Sequence, residues 1–114
     1  MKNFLKERSK KLSLLVFEVF DDLQNQREFV ISNQIIRSVT AIGANIAESV
    51  YAETKKDYIH KLAIGLKEAV KSEYWIELLE ERHYSLRKLQ KLKENNSEII
   101  RLLVSSIKKL KKIC

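Results

Sequence analysis

The residue pairs in this 114-residue chain best suited to chemistry are Glu80 with His83 and Asp57 with His60, each a carboxylate followed three positions later by an imidazole. On a helix that spacing turns both side chains to one face, the arrangement with which helical bundles hold a pair of iron or manganese ions. Such a centre needs pairs on facing helices. Here both pairs fall in one helical segment, 23 residues apart, which is about 34 Å along a helix. They cannot share a metal. Asp21-Asp22 and Glu80-Glu81 are adjacent in sequence, so each pair points to different sides of its helix and cannot act as an acid and base together. No Ser-His-Asp or Cys-His arrangement stands out. Gly43 and Gly65 are the only glycines, and neither belongs to a glycine-rich run after a strand, so nucleotide-binding loops are not expected. The chain is expected to have no enzymatic activity, no metal and no cofactor.

The remaining chemistry is electrostatic. The formal charge is +7 and unevenly spread. Residues 1–12 carry +4, residues 13–81 carry −5 and residues 82–114 carry +8. Concentrated Lys and Arg are the footprint expected for a phosphate backbone, provided the fold brings the two basic ends together.

The elements that would do so are legible as four periodic segments. The chain has no proline, and 45% of it is apolar. A β-rich domain of this size would need many turn-forming residues, whereas a bundle with three tight connections needs few. A first helix is expected from about Lys6 to Gln24, with Leu5, Leu12, Leu15, Val19 and Leu23 as its seam; Leu14, Val16, Phe17 and Phe20 widen its apolar surface. A second runs from an N-cap at Ser32 to about Glu53 over Ile35, Val39, Ile42, Ile46 and Val50. Thr54 and Asp57 form a variant capping box that opens a third helix, which extends to about Arg82. Its inward residues are Ile59, Leu62, Leu66, Val70 (or Ala69), Ile76 and Leu79. After a connection at His83 to Ser85, a fourth spans about Leu86 to Lys112. Its seam is Leu86, Leu89, Asn96, Ile100, Leu103, Ile107 and Leu110. Asn95-Asn96-Ser97 has weak helix propensity, but the pattern continues through it. Gly43 with Ala47 and Gly65 with Ala69 place small residues one turn apart, which marks close helix contacts. The expected fold is all-α: one domain, 1–114, an antiparallel up-down-up-down four-helix bundle.

In that fold the start of helix one, the second turn and the end of helix four share one end. Lys2, Lys6, Arg8, Lys10 and Lys11 then lie near Lys55 and Lys56 and near Lys108, Lys109, Lys111 and Lys112. This basic pole suits RNA or DNA. The plainer reading is a solvated face, since lysines at the end of helix four favour its dipole, although those at the start of helix one oppose theirs. An acidic protein or membrane surface is a further alternative.

From Ser32 to Leu79 the chain carries Ser32-Asn33-Gln34-Ile35-Ile36-Arg37-Ser38 and Ile42-Gly43-Ala44-Asn45-Ile46-Ala47-Glu48. Asp57-Tyr58-Ile59, Lys61-Leu62, Leu66-Lys67-Glu68-Ala69 and Tyr74-Trp75 follow. These runs resemble the bacterial four-helix-bundle family encoded by 23S rRNA intervening sequences, a relative of the accessory variability protein of diversity-generating retroelements. The motifs cover somewhat under half the chain, and the helical pattern covers the rest. The sequence departs from the common pattern at Ser49, where a glycine often follows Ala-Glu, and at Gly43, where many members have proline. The resemblance implies a homopentamer around a central channel, and kinship with a barrel that binds nucleic acid and a nucleic-acid-handling protein. It assigns no defined biochemical activity.

Two groups of motif residues carry separate expectations. Arg37, Asn45, Glu48, Lys67 and Glu68 flank apolar seams, so they should be half buried and in need of partners. A hydrogen-bonded and ionic network fixing helix register or the subunit contact is expected, with a functional pocket as the alternative. Tyr51, Tyr58, Tyr74, Trp75 and Tyr84 could stack on unpaired bases, but aromatics at helical spacing are more often core or interface residues. The resemblance places Tyr74 and Trp75 at the interface. No segment reaches the ~20 apolar residues of a membrane span, no secretory signal is visible, and the lone cysteine is Cys114, so a cytoplasmic location is expected. The rival to nucleic-acid association is a protein–protein assembly module docking through the apolar faces of helices one and four.

Overall fold

The structure, a computed structural model, describes residues 2–82, 86 and 88–112, with side chains from Phe4 onward. Four helices account for nearly all of them: α1 (Lys2–Asn25), α2 (Phe29–Ser49), α3 (Lys55–Glu81) and α4 (Leu89–Lys112). His83 to Ser85, the expected third connection, lie outside the described residues.

The ends of the helices follow from where their unpaired backbone groups find partners. At the close of α1 the N–H of Glu28 donates to the carbonyl of Leu23 at 2.9 Å and the N–H of Arg27 to that of Gln24 at 3.0 Å, with Arg27 at φ 61°. This is a Schellman turn in which an arginine takes the left-handed position usually held by glycine. Glu28 then starts α2, its carboxylate accepting from the N–H of Ile31 at 2.9 Å. The expected cap, Ser32, instead lies buried within α2, accepting from Gln24 Nε2 and donating to the Phe29 carbonyl. At the next turn Thr54 is the N-cap of α3, as its spacing to Asp57 suggests, and accepts from the Asp57 N–H at 3.0 Å.

Contacts between helices fix their directions. Gly43 of α2 lies against Ser9 and Ser13 of α1 while Gln24 meets Ser32, so α1 and α2 run oppositely. Ser38 with Ser72, and Glu48 with Lys61, show the same for α2 and α3. Asn96 with Ala69, and Lys93 with Glu80, do so for α3 and α4, and the Arg8–Glu98 pair closes α4 against α1. Each helix packs on two neighbours around an up-down-up-down bundle 48 Å long and about 20 Å across.

The core is the four seams meeting. Leu12, Val16, Val19 and Leu23 of α1 are fully enclosed, as are Ile35, Val39, Ile42 and Ile46 of α2. Leu62, Ala69, Ile76 and Leu79 of α3 face Leu92, Ile99 and Leu103 of α4. At the alternative positions in α3 it is Ala69 that is buried, while Val70 is half exposed. The seam of α4 differs from the expected one: Leu92 and Ile99 are core residues, and Ile100, Ile107 and Leu110 only lean against it. Ile100 is turned toward the outward face of α4, and for Ile107 and Leu110 the reason is length. Arg8 is level with Glu98, so α1 begins opposite residue 104, and the last two turns of α4 have no α1 to bury against. Helix α4 runs unbroken through Asn95-Asn96-Ser97, because Asn96 is buried and its Nδ2 donates to the Ala69 carbonyl at 3.0 Å. A Cβ added at Gly65 would lie 3.7 Å from the Ile42 carbonyl, so α2 and α3 approach closely there.

Candidate nucleic-acid interface

The second turn and the end of α4 come together. Leu110 shares a surface cavity of ≈ 380 Å³ with Ser49, Thr54, Lys55 and Tyr58, so Lys55 and Lys56 stand beside the last turns of α4. The start of α1 is level with the end of α2, at this same end of the bundle. Ten of the eleven cations expected at the pole therefore lie at this end or on the flanks leading to it; the side chain of Lys2 lies outside the described residues.

They do not form one compact patch. Lys6 and Lys10 line a shallow groove between α1 and α2, floored by Gly43, Ala44 and Ala47. Lys11 faces the opposite groove, between α1 and α4, which Lys88, Lys91 and the carboxylate of Glu18 also line. Arg8 sits between these flanks with its charge engaged: Nη1 donates to Glu98 at 2.7 Å, and the guanidinium stacks 4.8 Å from the Phe4 ring centroid. On α4, Lys108, Lys109 and Lys112 join Arg101 around an outward face whose floor is Ile100 and Val104. Lys111 is exposed beside them. Lys88, Lys91 and Arg101 are additions to the expected set. Lys88 and Lys91 are three residues apart and share the α1–α4 groove, but Arg101 is ten residues further on and on another face, so no single periodic stripe signals all three.

The motif residues are not joined into a single network. Arg37 and Lys67 are exposed and have no ion-pair partner among the described residues. Asn45 bonds within its own helix, Nδ2 donating to the Ala41 carbonyl at 2.8 Å. Glu68 pairs with Lys71 one turn on at 3.4 Å. Only Glu48 reaches across helices, accepting from Lys61 Nζ at 3.0 Å. That contact, with Asp57 adding to it, raises the Lys61 ammonium above its usual value against a smaller opposing effect of desolvation. Burial similarly pushes the Tyr58 phenol up. The buried polar links between helices come from other residues: Ser38 and Ser72, whose hydroxyls are 2.8 Å apart, and Asn96 with Ala69. Trp75 packs on the core with its Nε1 enclosed, and the half-exposed Tyr74 ring lies tilted 5.4 Å from it.

Among the described residues no cluster of three or more His, Cys, Asp or Glu side chains is placed to hold a metal ion. Nor, among the described residues, is any helix long and apolar enough to cross a membrane. Lysines lying without acidic partners among the described residues, at one end of four alternating helices, define an all-α bundle with a polarised surface.

The chain belongs to the 23S rRNA-intervening sequence protein family, whose pattern it matches over residues 2–105. It is also similar to a solved structure from Bacteroides thetaiotaomicron, a protein of unknown function from the S23 ribosomal protein family. The two share 42% identity over 91% of this chain and 98% of that one, with a TM-score of 0.87. None of the curated proteins is significantly similar to it.

Proposed function

We propose that this is a non-enzymatic, self-associating bundle that holds nucleic acid, RNA or DNA, on its lysine-rich end. One observation carries the reading. Lys6, Lys10, Lys11, Lys55, Lys56, Lys108, Lys109, Lys111 and Lys112 have no carboxylate within 4 Å among the described residues, so their charge is free for phosphate. A surface evolved only for solubility would intersperse both signs. The family's association with 23S rRNA genes favours RNA as the first candidate, and a nucleic-acid-handling protein is the second partner class. Self-association is supported by Leu14, Phe17, Val30 and Tyr74, large side chains left half exposed or more. A homopentamer, as the family resemblance implies, would repeat the basic end as a ring. The location this implies is cytoplasmic.

Electrophoretic retardation of single-stranded RNA, duplex RNA and duplex DNA, over a series of salt concentrations, tests the reading. The expected result is binding that weakens steeply with salt, by a log–log slope of about 0.9 per phosphate contact on duplex DNA and about 0.7 on single strands. Absence of retardation for all three at low salt overturns it. The exposed apolar residues of α1 would then favour an assembly module; α4 presents no large exposed hydrophobic among its described residues. Light scattering reports the assembly separately.

A further inference from the structure

At the end of the bundle away from the lysines, α3 and α4 enclose a cavity of ≈ 440 Å³ of opposite character. Glu73, Glu77, Glu80 and Glu81 line it, and residues 73–81 contain no cation. Lys93 and Asn96 form its α4 side. Asn96 is 1% exposed, and while its Nδ2 is bonded to Ala69, its Oδ1 has no donor among the described residues. A buried amide oxygen normally has a partner. Lys93 engages Glu80, which leaves the carboxylates of Glu73, Glu77 and Glu81 and the Asn96 Oδ1 as acceptors, so the complementary occupant is a cationic donor.

We infer that this cavity binds a linear polyamine. The distribution of charge selects that class over a metal ion. Glu73, Glu77 and Glu81 lie at i, i+4 and i+8, one stripe along α3 with a rise of about 6 Å per step. Among the described residues no three ligating side chains converge on one point, as a divalent ion would require. Ammonium groups separated by short alkyl spacers carry positive charge at a comparable pitch.

Lys93 already shows how an alkylammonium sits there: its Nζ donates to both oxygens of Glu80, at 3.2 and 3.0 Å. With Glu80 so engaged, the carboxylates of Glu73, Glu77 and Glu81 remain, a charge of −3 to be met by a diamine or triamine. Asn96 supplies a neutral acceptor at the cavity wall, and the half-exposed ring of Tyr74 at the rim offers a face to the cation. The rest of the chain is strongly basic and repels small cations, so such a ligand concentrates here and not over the surface generally.

The test is calorimetric titration of the full chain with spermidine and with putrescine in low-salt buffer, free of nucleic acid. Magnesium chloride at matched ionic strength is the control. Saturable binding of spermidine, tighter than putrescine and not reproduced by magnesium, is expected. Glu73→Gln with Glu77→Gln should weaken it about tenfold or more, the loss of charge-assisted bonds. Glu53→Gln, in the turn at the opposite end of the bundle, should leave it unchanged. Asn96→Leu should also weaken binding, with circular dichroism confirming that the variant remains helical. No spermidine binding, equal competition by magnesium, or unchanged affinity in the Glu73/Glu77 variant overturns the inference. Binding of an oligolysine peptide without binding of either amine also overturns it.

Discussion

The backbone N–H of Glu28 donates to the carbonyl of Leu23 across the first turn, and this bond holds Arg27 in the left-handed region at φ 61°. An L-residue with a Cβ pays roughly 1–2 kcal/mol there, which glycine avoids. Arg27 is exposed and the turn's hydrogen bonds are made by backbone atoms, so its side chain is dispensable to the geometry. Arg27→Gly is expected to stabilise the chain by about 0.5–1 kcal/mol after the extra flexibility of the unfolded glycine is counted. Thermal denaturation measures this. A lowered melting temperature would mean that the arginine makes a stabilising contact outweighing the strain.

That same turn shows where the sequence stopped being readable. The seam of α1 and the Thr54–Asp57 cap follow from spacing, because period and capping chemistry are local properties. Glu28 was not legible as a cap, since glutamate is an uncommon one and its use depends on Arg27 adopting a conformation its residue type disfavours. The phase of α4 was misread for a tertiary reason. Ile107 and Leu110 have the right spacing for a core, but lie beyond the reach of α1. The basic end was legible because alternating helix direction dictates it. The flank on which each lysine falls was not: Lys10 and Lys11 are adjacent in sequence, yet one turns toward α2 and the other toward α4. Ser38 and Ser72 are ordinary small residues in sequence, and only the crossing of α2 over α3 makes them a buried pair.

Gly65 occupies a helix interior, where glycine costs about 1 kcal/mol relative to alanine. Its built Cβ would stand 3.7 Å from the Ile42 carbonyl and 3.9 Å from Asn45 Cβ and Leu103 Cδ1, ordinary contact distances. Gly65→Ala should therefore raise stability by about 1 kcal/mol, or roughly 4 °C in melting temperature. Gly43→Ala should gain less, because its Cβ would meet Ser13 Oγ at 3.4 Å. Equal gains at the two sites in denaturant titrations would contradict this ordering of the helix contacts.

The Lys61–Glu48 bond and the partly buried Tyr58 phenol give stability a defined dependence on alkaline pH. Both groups hold their protons more tightly in the folded chain than at their ordinary values of 10.5 and 10.0. The folded state therefore binds more protons than the unfolded state once pH passes those values, so stability falls as pH rises. The contribution is complete below about pH 10 and is lost above it. Melting temperature followed from pH 8 to 11 should decline at the alkaline end, and the decline should be shallower in Lys61→Gln and in Tyr58→Phe. A decline of the same steepness in both variants would assign it to other groups.

Arg8 supplies the most direct probe of the proposed phosphate surface, because it is the one cation of the expected pole with an acidic partner among the described residues. Both side chains of the Arg8–Glu98 pair are more than a third exposed, so the bond contributes under about 1 kcal/mol to stability. Glu98→Gln keeps an acceptor for the guanidinium, removes the negative charge and leaves the bundle intact. A phosphate backbone lying along the α1–α4 groove, past Lys11, Lys88 and Lys91, then meets one more available cation. Affinity for RNA or DNA should rise several-fold at low salt, and the salt slope should steepen by up to about 0.9 on duplex DNA. Arg8→Gln in the native background should change binding little, since its charge is already engaged. If Glu98→Gln binds as the native protein does while Lys108→Gln with Lys112→Gln binds weakly, the nucleic acid follows the outer face of α4 and not the α1–α4 groove.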